Sequence, residues 1–103
     1  MKPNKLVRDK IPQIIKENGE YPIIHIAGDN EYRKRLGEKL LEEVGEFLEE
    51  YDVRELADVL EVVYALGNFI GVDNSTLELM RKSKFDNRGG FLYRIILDEV
   101  KER

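Results

Sequence analysis

Two segments with helical periodicity, joined by a very short connection, constrain the fold of this 103-residue chain more than any other feature. Residues 31–51 carry apolar side chains every three or four positions, which predicts an amphipathic helix. Residues 52–55 resemble a capping box and predict a second helix, which ends at residue 69 or 70, before Gly71. Because the connection is so short, we expect the two helices to form an antiparallel hairpin.

Shorter helices are predicted on either side of this hairpin. The first begins near Lys10, with Asp9 as its N-cap, and ends at Gly19. Another helix follows the hairpin, because residues 75–78 form a second capping box, and it continues to about residue 85. The chain therefore contains enough predicted helix for an all-α bundle.

Two further segments are not clearly helical. Residues 21–27 are rich in side chains that favour strands, and residues 91–100 are compatible with either a strand or a helix. We favour a strand pair between these two segments. No linker or repeat divides the chain, so we expect a single domain over residues 1–103, an antiparallel helical bundle with this short strand pair.

The composition argues against several classes of function. The chain has no cysteine, which excludes disulfides, thiolate catalysis and cysteine metal sites. Its single histidine, His25, argues against a histidine metal site or a Ser–His triad. The 21 acidic and 17 basic residues give a formal net charge of −4, which argues against nucleic-acid and anionic-membrane binding.

The distribution of hydrophobic residues predicts a soluble cytoplasmic protein. Residues 1–6 are polar and lack the apolar core of a signal peptide. Residues 56–72 are the longest weakly charged stretch, but Asp58 and Glu61 interrupt them and they are short for a membrane span.

Four acidic residues stand out from this background. On a helical wheel, Glu43 and Glu46 border the apolar stripe of the first long helix, whereas Glu42 lies opposite the stripe and is expected to face water. Glu55 and Asp58 have the same i,i+3 spacing on the second helix, which is apolar around almost its whole circumference. An antiparallel hairpin brings the two pairs together, and clustered carboxylates need a counter-charge.

The counter-charge is either a local basic residue or a divalent cation. With oxygen ligands alone, the cation should be Mg²⁺ first and Mn²⁺ second, and carboxylate-bound Mg²⁺ commonly serves phosphate-bearing substrates. The structural alternative is that Glu43 and Glu46 are solvated, with Lys39 pairing with Glu43, and that Glu55 is the capping partner of Asp52. The chain would then be a non-catalytic helical dimerisation module whose acidic residues form salt bridges with Lys39, Arg54 or Arg81.

Two motifs of this sequence resemble a known family. K-L-L-E-E-V-G-E-F at residues 39–47, followed by E-L-A-D-V-L-E-V at residues 55–62, is similar to the E-E-x-x-E…E-x-x-D signature of the all-α nucleoside triphosphate pyrophosphohydrolases. That superfamily includes MazG, the phosphoribosyl-ATP pyrophosphohydrolases and the dimeric dUTPases. Residues 4–12 and 81–91 resemble the two ends of a compact MazG-like subgroup described as phosphoribosyl-ATP pyrophosphohydrolase-like.

The resemblance implies a helical bundle of MazG type that cleaves a nucleotide between its α and β phosphates. It implies Mg²⁺ ligation by four residues: Glu43, Glu46, Glu55 and Asp58. Glu43 or Glu46 would accept a proton from the attacking water. One departure is that only eight residues separate Glu46 from Glu55, fewer than is usual in the superfamily.

A triphosphate also needs basic groups, and the sequence offers two sets. The expected phosphate-binding residues are Arg81, Lys84, Arg88, Gly89 and Gly90 in one set and Arg8 and Lys10 in the other. Phosphoribosyl-ATP hydrolysis in histidine biosynthesis is the alternative reaction within the family. Because one hairpin is too small to cover the apolar second helix, we also expect a homodimer, with sites near the subunit interface as in the family.

Overall fold

The protein is all-α in the part of the chain that the structure describes. A computed structural model describes residues 3–102 and contains four helices and no strand over that range. The helices are α1 (Ile11–Glu17), α2 (Asp29–Glu50), α3 (Val53–Phe69) and α4 (Asn74–Arg88). The all-α prediction is therefore confirmed. None of the described helices combines the length and the hydropathy needed to cross a membrane.

Helices α2 and α3 form the predicted hairpin and make the most extensive helix–helix contact. Tyr51 reverses the chain in the left-handed conformation, at φ 55°, and its N–H donates to the carbonyl of Phe47. Asp52 is the N-cap of α3, and its carboxylate accepts from the backbone N–H of Arg54 at 2.8 Å. The Arg54 guanidinium also binds Asp52 and lowers its pKa to about 2. The helix ends before Gly71, as predicted.

The two shorter helices differ from the predictions at their ends. Helix α1 begins one residue later than expected, with Lys10 rather than Asp9 at the N-cap, and Gly19 follows it at φ 84°. The N-cap of α4 is Asp73 rather than Ser75, because the Asp73 carboxylate accepts from the backbone N–H of Thr76 at 2.8 Å.

Helix α4 extends three residues beyond its predicted end near residue 85. Helix α4 includes Asp86 to Arg88 and ends at Gly89, whose φ of 83° suits a residue without a Cβ atom. No residue before this glycine breaks the helix. The adjoining Gly90 lies against Phe85, since an added Cβ atom would be 3.1 Å from the phenyl ring.

The predicted strand pair is absent from the described chain. Residues 20–28 and 94–102 have no regular secondary structure, and neither segment hydrogen-bonds to the other. Their apolar side chains are almost fully exposed, with Ile23 at 99% and Phe91 at 97%. A strand forms only against another backbone edge, and the fold of one chain brings no edge to these segments.

The apolar core within one chain is small. Leu36 and Val62 are the apolar side chains that become buried among the described residues, with 2% and 8% exposure. Other members of the predicted stripe on α2, including Val44, Leu48 and Tyr51, remain exposed. The apolar surface of α3 also extends beyond what α2 and α4 cover within one chain, as expected of a helix that a single hairpin is too small to bury.

Candidate metal centre

Three carboxylates meet where α2 and α3 pack against each other. Glu43 of α2 and Glu55 and Asp58 of α3 each offer a carboxylate oxygen, and these oxygens lie within 4.8 Å of one another. The i,i+3 spacing places Glu55 and Asp58 on one side of α3, and the tight hairpin turns that side toward α2. The hairpin thus assembles three of the four acidic residues that the sequence indicates as ligands.

Burial makes this acidic cluster costly without a positive charge. Glu43 is 7% exposed, and its Oε2 atom is buried without a hydrogen-bond partner. The Oε2 atom of Glu55 is also buried and without a partner. Because a buried carboxylate oxygen loses its hydration, each of these two atoms has an unmet need for a cation or a donor.

Two basic side chains neutralise part of the cluster. Lys39 Nζ lies 3.3 Å from Glu43 Oε1, one helical turn away on α2. Arg8 Nη2 lies 2.6 Å from Asp58 Oδ1 and comes from the segment before α1. The pair between Lys39 and Glu43 was part of the structural alternative and is observed, although Glu43 is buried rather than solvated. Arg8 was expected to bind phosphate, and no local pattern connects it to Asp58.

Glu46 lies beside this cluster rather than within it. Its side chain is exposed and lies close enough to Glu55 to affect the ionisation of that residue. Burial is the largest influence, followed by the negative charges of Glu46, Asp58 and Glu43, and together they raise the pKa of Glu55 to about 7.

Glu55 does not have the capping role that the structural alternative gave it. Asp52 caps α3 through the N–H of Arg54, whereas Glu55 Oε2 remains without a partner. The two other bases named in that alternative are engaged elsewhere, since Arg54 pairs with Asp52 and Arg81 with Glu78.

Stability is expected to depend on pH through Glu55. An ordinary glutamate has a pKa near 4.5, so between about pH 4.5 and 7 the folded chain binds a proton at Glu55 that the unfolded chain has lost. The contribution of Glu55 to the free energy of unfolding should therefore fall as pH rises through this window. Thermal unfolding in a chelating buffer, from pH 5 to 8, measures the effect.

The matched variant for this test is Glu55→Gln, which removes the titrating group and keeps the shape of the side chain. Its melting temperature should fall less than that of the wild type over the same pH range. Parallel curves for the two proteins would show that Glu55 does not titrate in this window.

The position of Glu42 agrees only in part with the expectation that this residue faces water. It lies outside the three-carboxylate cluster, but it is half-buried rather than fully solvated, with Lys5 Nζ at 3.2 Å and Lys39 Nζ at 3.4 Å. Burial opposes ionisation of Glu42, yet the hydrogen bond from Lys5 and the charges of Lys39 and Lys5 together lower its pKa. Glu42 therefore forms ion pairs with Lys5 and Lys39 and is not part of the carboxylate cluster.

The basic residues expected to bind phosphate are divided between two places. Arg8 reaches the cluster, whereas Lys10 lies at the start of α1. Arg81 forms a bidentate pair with Glu78 of its own helix at 2.6 and 2.9 Å. Within residues 3–102, no ion pair joins Lys84 or Arg88 to the three carboxylates. Gly89 ends α4 at a positive φ, and Gly90 packs against the Phe85 ring, so each glycine has a structural role on α4.

Known proteins add little to this geometry. No protein-family model matches the chain, and no solved structure matches it. Over 53 residues the chain is 45% identical to an uncharacterized protein of Mycolicibacterium smegmatis, which covers 52% of this chain and 53% of that protein. The match thus spans about half the length of its relative.

The donor set suits a hard divalent cation. It contains carboxylate oxygens and no nitrogen or sulfur ligand, which favours Mg²⁺ or Mn²⁺ over zinc or copper. The buried, unpartnered oxygens of Glu43 and Glu55 are the atoms whose environment a cation would satisfy. The residues therefore fit the cation that the sequence resemblance implies.

Proposed function

We propose that this protein is an Mg²⁺-dependent nucleotide pyrophosphohydrolase that cleaves a nucleoside triphosphate between the α and β phosphates. The observation that carries the proposal is the cluster of Glu43, Glu55 and Asp58, whose carboxylate oxygens lie within 4.8 Å, with a buried Glu43 oxygen that has no partner. The resemblance of the two acidic motifs supports the same reaction.

In this proposal each acidic residue has a distinct role. Glu43, Glu55 and Asp58 hold the cation, which when bound supplies charge neutralisation for the phosphates and a polarised water. Glu46 is exposed, lies beside the cluster and is close to Glu55, so it is the carboxylate best placed to accept a proton from that water without giving up a metal contact. Mn²⁺ would occupy the same ligands.

Basic residues complete the proposed site. Arg8 is already within 2.6 Å of Asp58, so its guanidinium needs only a small movement to meet a phosphate beside the cation. Lys10 follows two residues later. The group formed by Arg81, Lys84, Arg88 and the Gly89–Gly90 backbone remains part of the proposal as a second phosphate-binding surface on α4.

We also propose that the protein is a homodimer. A compact monomer of its 12.1 kDa mass exposes roughly 6,000 Å². The chain exposes 9838 Å², more than half as much again. Since obligate homodimers bury about 2,000–5,000 Å² in total, the excess is large enough for such an interface. A cytoplasmic location, where Mg²⁺ and nucleotides are abundant, remains part of the proposal.

Pyrophosphate release from a panel of nucleotides tests the proposed function. The panel contains the four NTPs, the four dNTPs and phosphoribosyl-ATP, each with Mg²⁺ and with a chelator. We expect Mg²⁺-dependent release of pyrophosphate from at least one nucleoside triphosphate. A strong preference for phosphoribosyl-ATP would identify the reaction of histidine biosynthesis instead. No release from any member of the panel would refute the enzymatic proposal.

The second candidate is a non-catalytic helical dimerisation module. The ion pairs that Lys39 and Arg8 form with Glu43 and Asp58 favour it, because they neutralise part of the cluster from within the chain. This candidate predicts that Mg²⁺ leaves the melting temperature unchanged and that no nucleotide binds. The enzymatic proposal predicts a higher melting temperature with Mg²⁺, since the cation binds only the folded cluster.

A further inference from the structure

The segment before α1 is attached to both helices of the hairpin. We call residues 4–8 the N-terminal strap. Its first residue accepts two hydrogen bonds from Arg35 of α2, one at the Asn4 carbonyl (3.0 Å) and one at the Asn4 side-chain oxygen (3.1 Å). Lys5 pairs with Glu42 of α2 at 3.2 Å. Arg8, at the other end, pairs with Asp58 of α3 at 2.6 Å.

The two ends of the strap have different surroundings. The Asn4 end binds Arg35, whose side chain is only 22% exposed and so holds a well-defined position. The Arg8 side chain is 56% exposed and touches the acidic cluster through one carboxylate oxygen. Arg8 can therefore leave Asp58 without any change at the Asn4 end. The guanidinium would stay near the cluster, because Asn4 and Lys5 still hold the strap against α2.

A guanidinium and a divalent cation oppose each other at this place. Both are attracted to Asp58, and the two positive charges repel one another at the short distances that one carboxylate imposes. A guanidinium can donate two parallel hydrogen bonds to the oxygens of a phosphate. A carboxylate that already binds a metal ion is a poorer acceptor for such a pair.

We propose that Arg8 is an exchangeable counter-ion of the metal centre. It pairs with Asp58 until a divalent cation binds the cluster, then leaves and offers its guanidinium to the phosphates of the nucleotide. The inference rests on the proposed function and adds an order of events: the cation binds first, and its binding prepares the anion site. Arg8 thus binds phosphate only after the cation has bound, and it couples the two binding steps.

The experiment measures Mn²⁺ binding by the full chain without nucleotide. Electron paramagnetic resonance of free Mn²⁺ gives the dissociation constant for the wild type, Arg8→Gln and Lys16→Gln. The last variant is the matched control, because Lys16 is an exposed base on α1 at the other end of that helix from the strap. We expect Arg8→Gln to bind Mn²⁺ about two- to fivefold more tightly than both other proteins, the range that loss of one exposed ion pair allows.

A second readout reports the Arg8 side chain itself. In NMR spectra of the full chain, the guanidinium signals of Arg8 should shift when saturating diamagnetic Mg²⁺ is added, because the side chain leaves Asp58. The guanidinium signals of Arg35, which holds the Asn4 end of the strap, should stay unchanged. Inorganic pyrophosphate, added with saturating Mn²⁺, should bind more weakly to Arg8→Gln than to Lys16→Gln.

The possible outcomes separate this inference from the proposed function. Equal Mn²⁺ affinity in the three proteins, or Arg8 guanidinium signals that Mg²⁺ leaves unchanged in the wild type, would overturn the exchange of Arg8 and leave the metal centre in place. If none of the three proteins binds Mn²⁺, the metal centre and the exchange both fail.

Discussion

Glu43→Gln is expected to abolish Mg²⁺-dependent pyrophosphate release while the helical fold remains intact. We expect turnover to fall by more than about 100-fold, because changes to residues that merely support metal ligands already cost 10- to 100-fold. Glu43 is the most buried member of the cluster, so no solvent-exposed carboxylate can substitute for it from the same position. Steady-state pyrophosphate release on the preferred nucleotide measures the change.

We expect an intact fold because the buried Glu43 carboxylate itself lowers the free energy of unfolding. Its Oε2 atom is buried without a partner, and a neutral amide is easier to bury than a carboxylate. Circular dichroism and thermal unfolding in a chelating buffer should therefore show a protein at least nearly as stable as the wild type. Asp58→Asn should likewise lose turnover and keep its fold.

The adjacent residue supplies the control. Glu42→Gln also removes a negative charge from α2 and also touches Lys39, but Glu42 lies outside the three-carboxylate cluster. We expect this variant to keep most of its activity. If Glu43→Gln and Asp58→Asn retained the turnover of Glu42→Gln, the cluster would have no part in the reaction.

Sedimentation is expected to show a stable dimer at micromolar concentration, of about twice the 12.1 kDa mass of the chain. Two apolar stripes lie open on the hairpin, one on α2 with Leu41 and Leu48 and one on α3 with Leu56 and Leu60. Each of these four side chains is close to half exposed or more. A second copy would cover such stripes by helix packing of the kind seen in bundles.

Leu60→Glu tests this surface, because it places a charge in the middle of the α3 stripe. A buried charge without a partner costs several kcal/mol in an interface, so we expect the variant to sediment as a monomer. Ala57→Glu is the matched control, since Ala57 is exposed on the same helix but lies about 60° away from Leu60 around its axis. A wild-type protein that remains monomeric at micromolar concentration would refute the dimer.

The hairpin and the acidic cluster were predictable because their determinants are local. Apolar spacing of three and four residues defines α2 and α3, and the short connection leaves them no arrangement other than antiparallel neighbours. The same periodicity separates Glu43 from Glu42, since adjacent residues on a helix differ by 100° in direction. One falls inside the cluster and the other in a network of lysines.

The strand pair and the phosphate-binding residues were less predictable because each depends on distant parts of the chain. Residues 21–27 and 91–100 have strand-like composition, but composition does not supply the backbone edge that a strand requires. Similarly, the bases of α4 lie near one another in sequence, yet Arg81 binds Glu78 and no described ion pair connects the group to the carboxylates.

The sequence by itself determined the helices, the Asp52 cap of α3 and the i,i+3 placement of the acids, since all of these follow from interactions between residues a few positions apart. Only the tertiary structure decided which charges meet. It brought Arg8 to Asp58, fifty positions along the chain, and left Glu43 and Glu55 each with a buried oxygen that nothing satisfies. Such pairings depend on how helices pack, and helix packing is governed by contacts that no local pattern encodes.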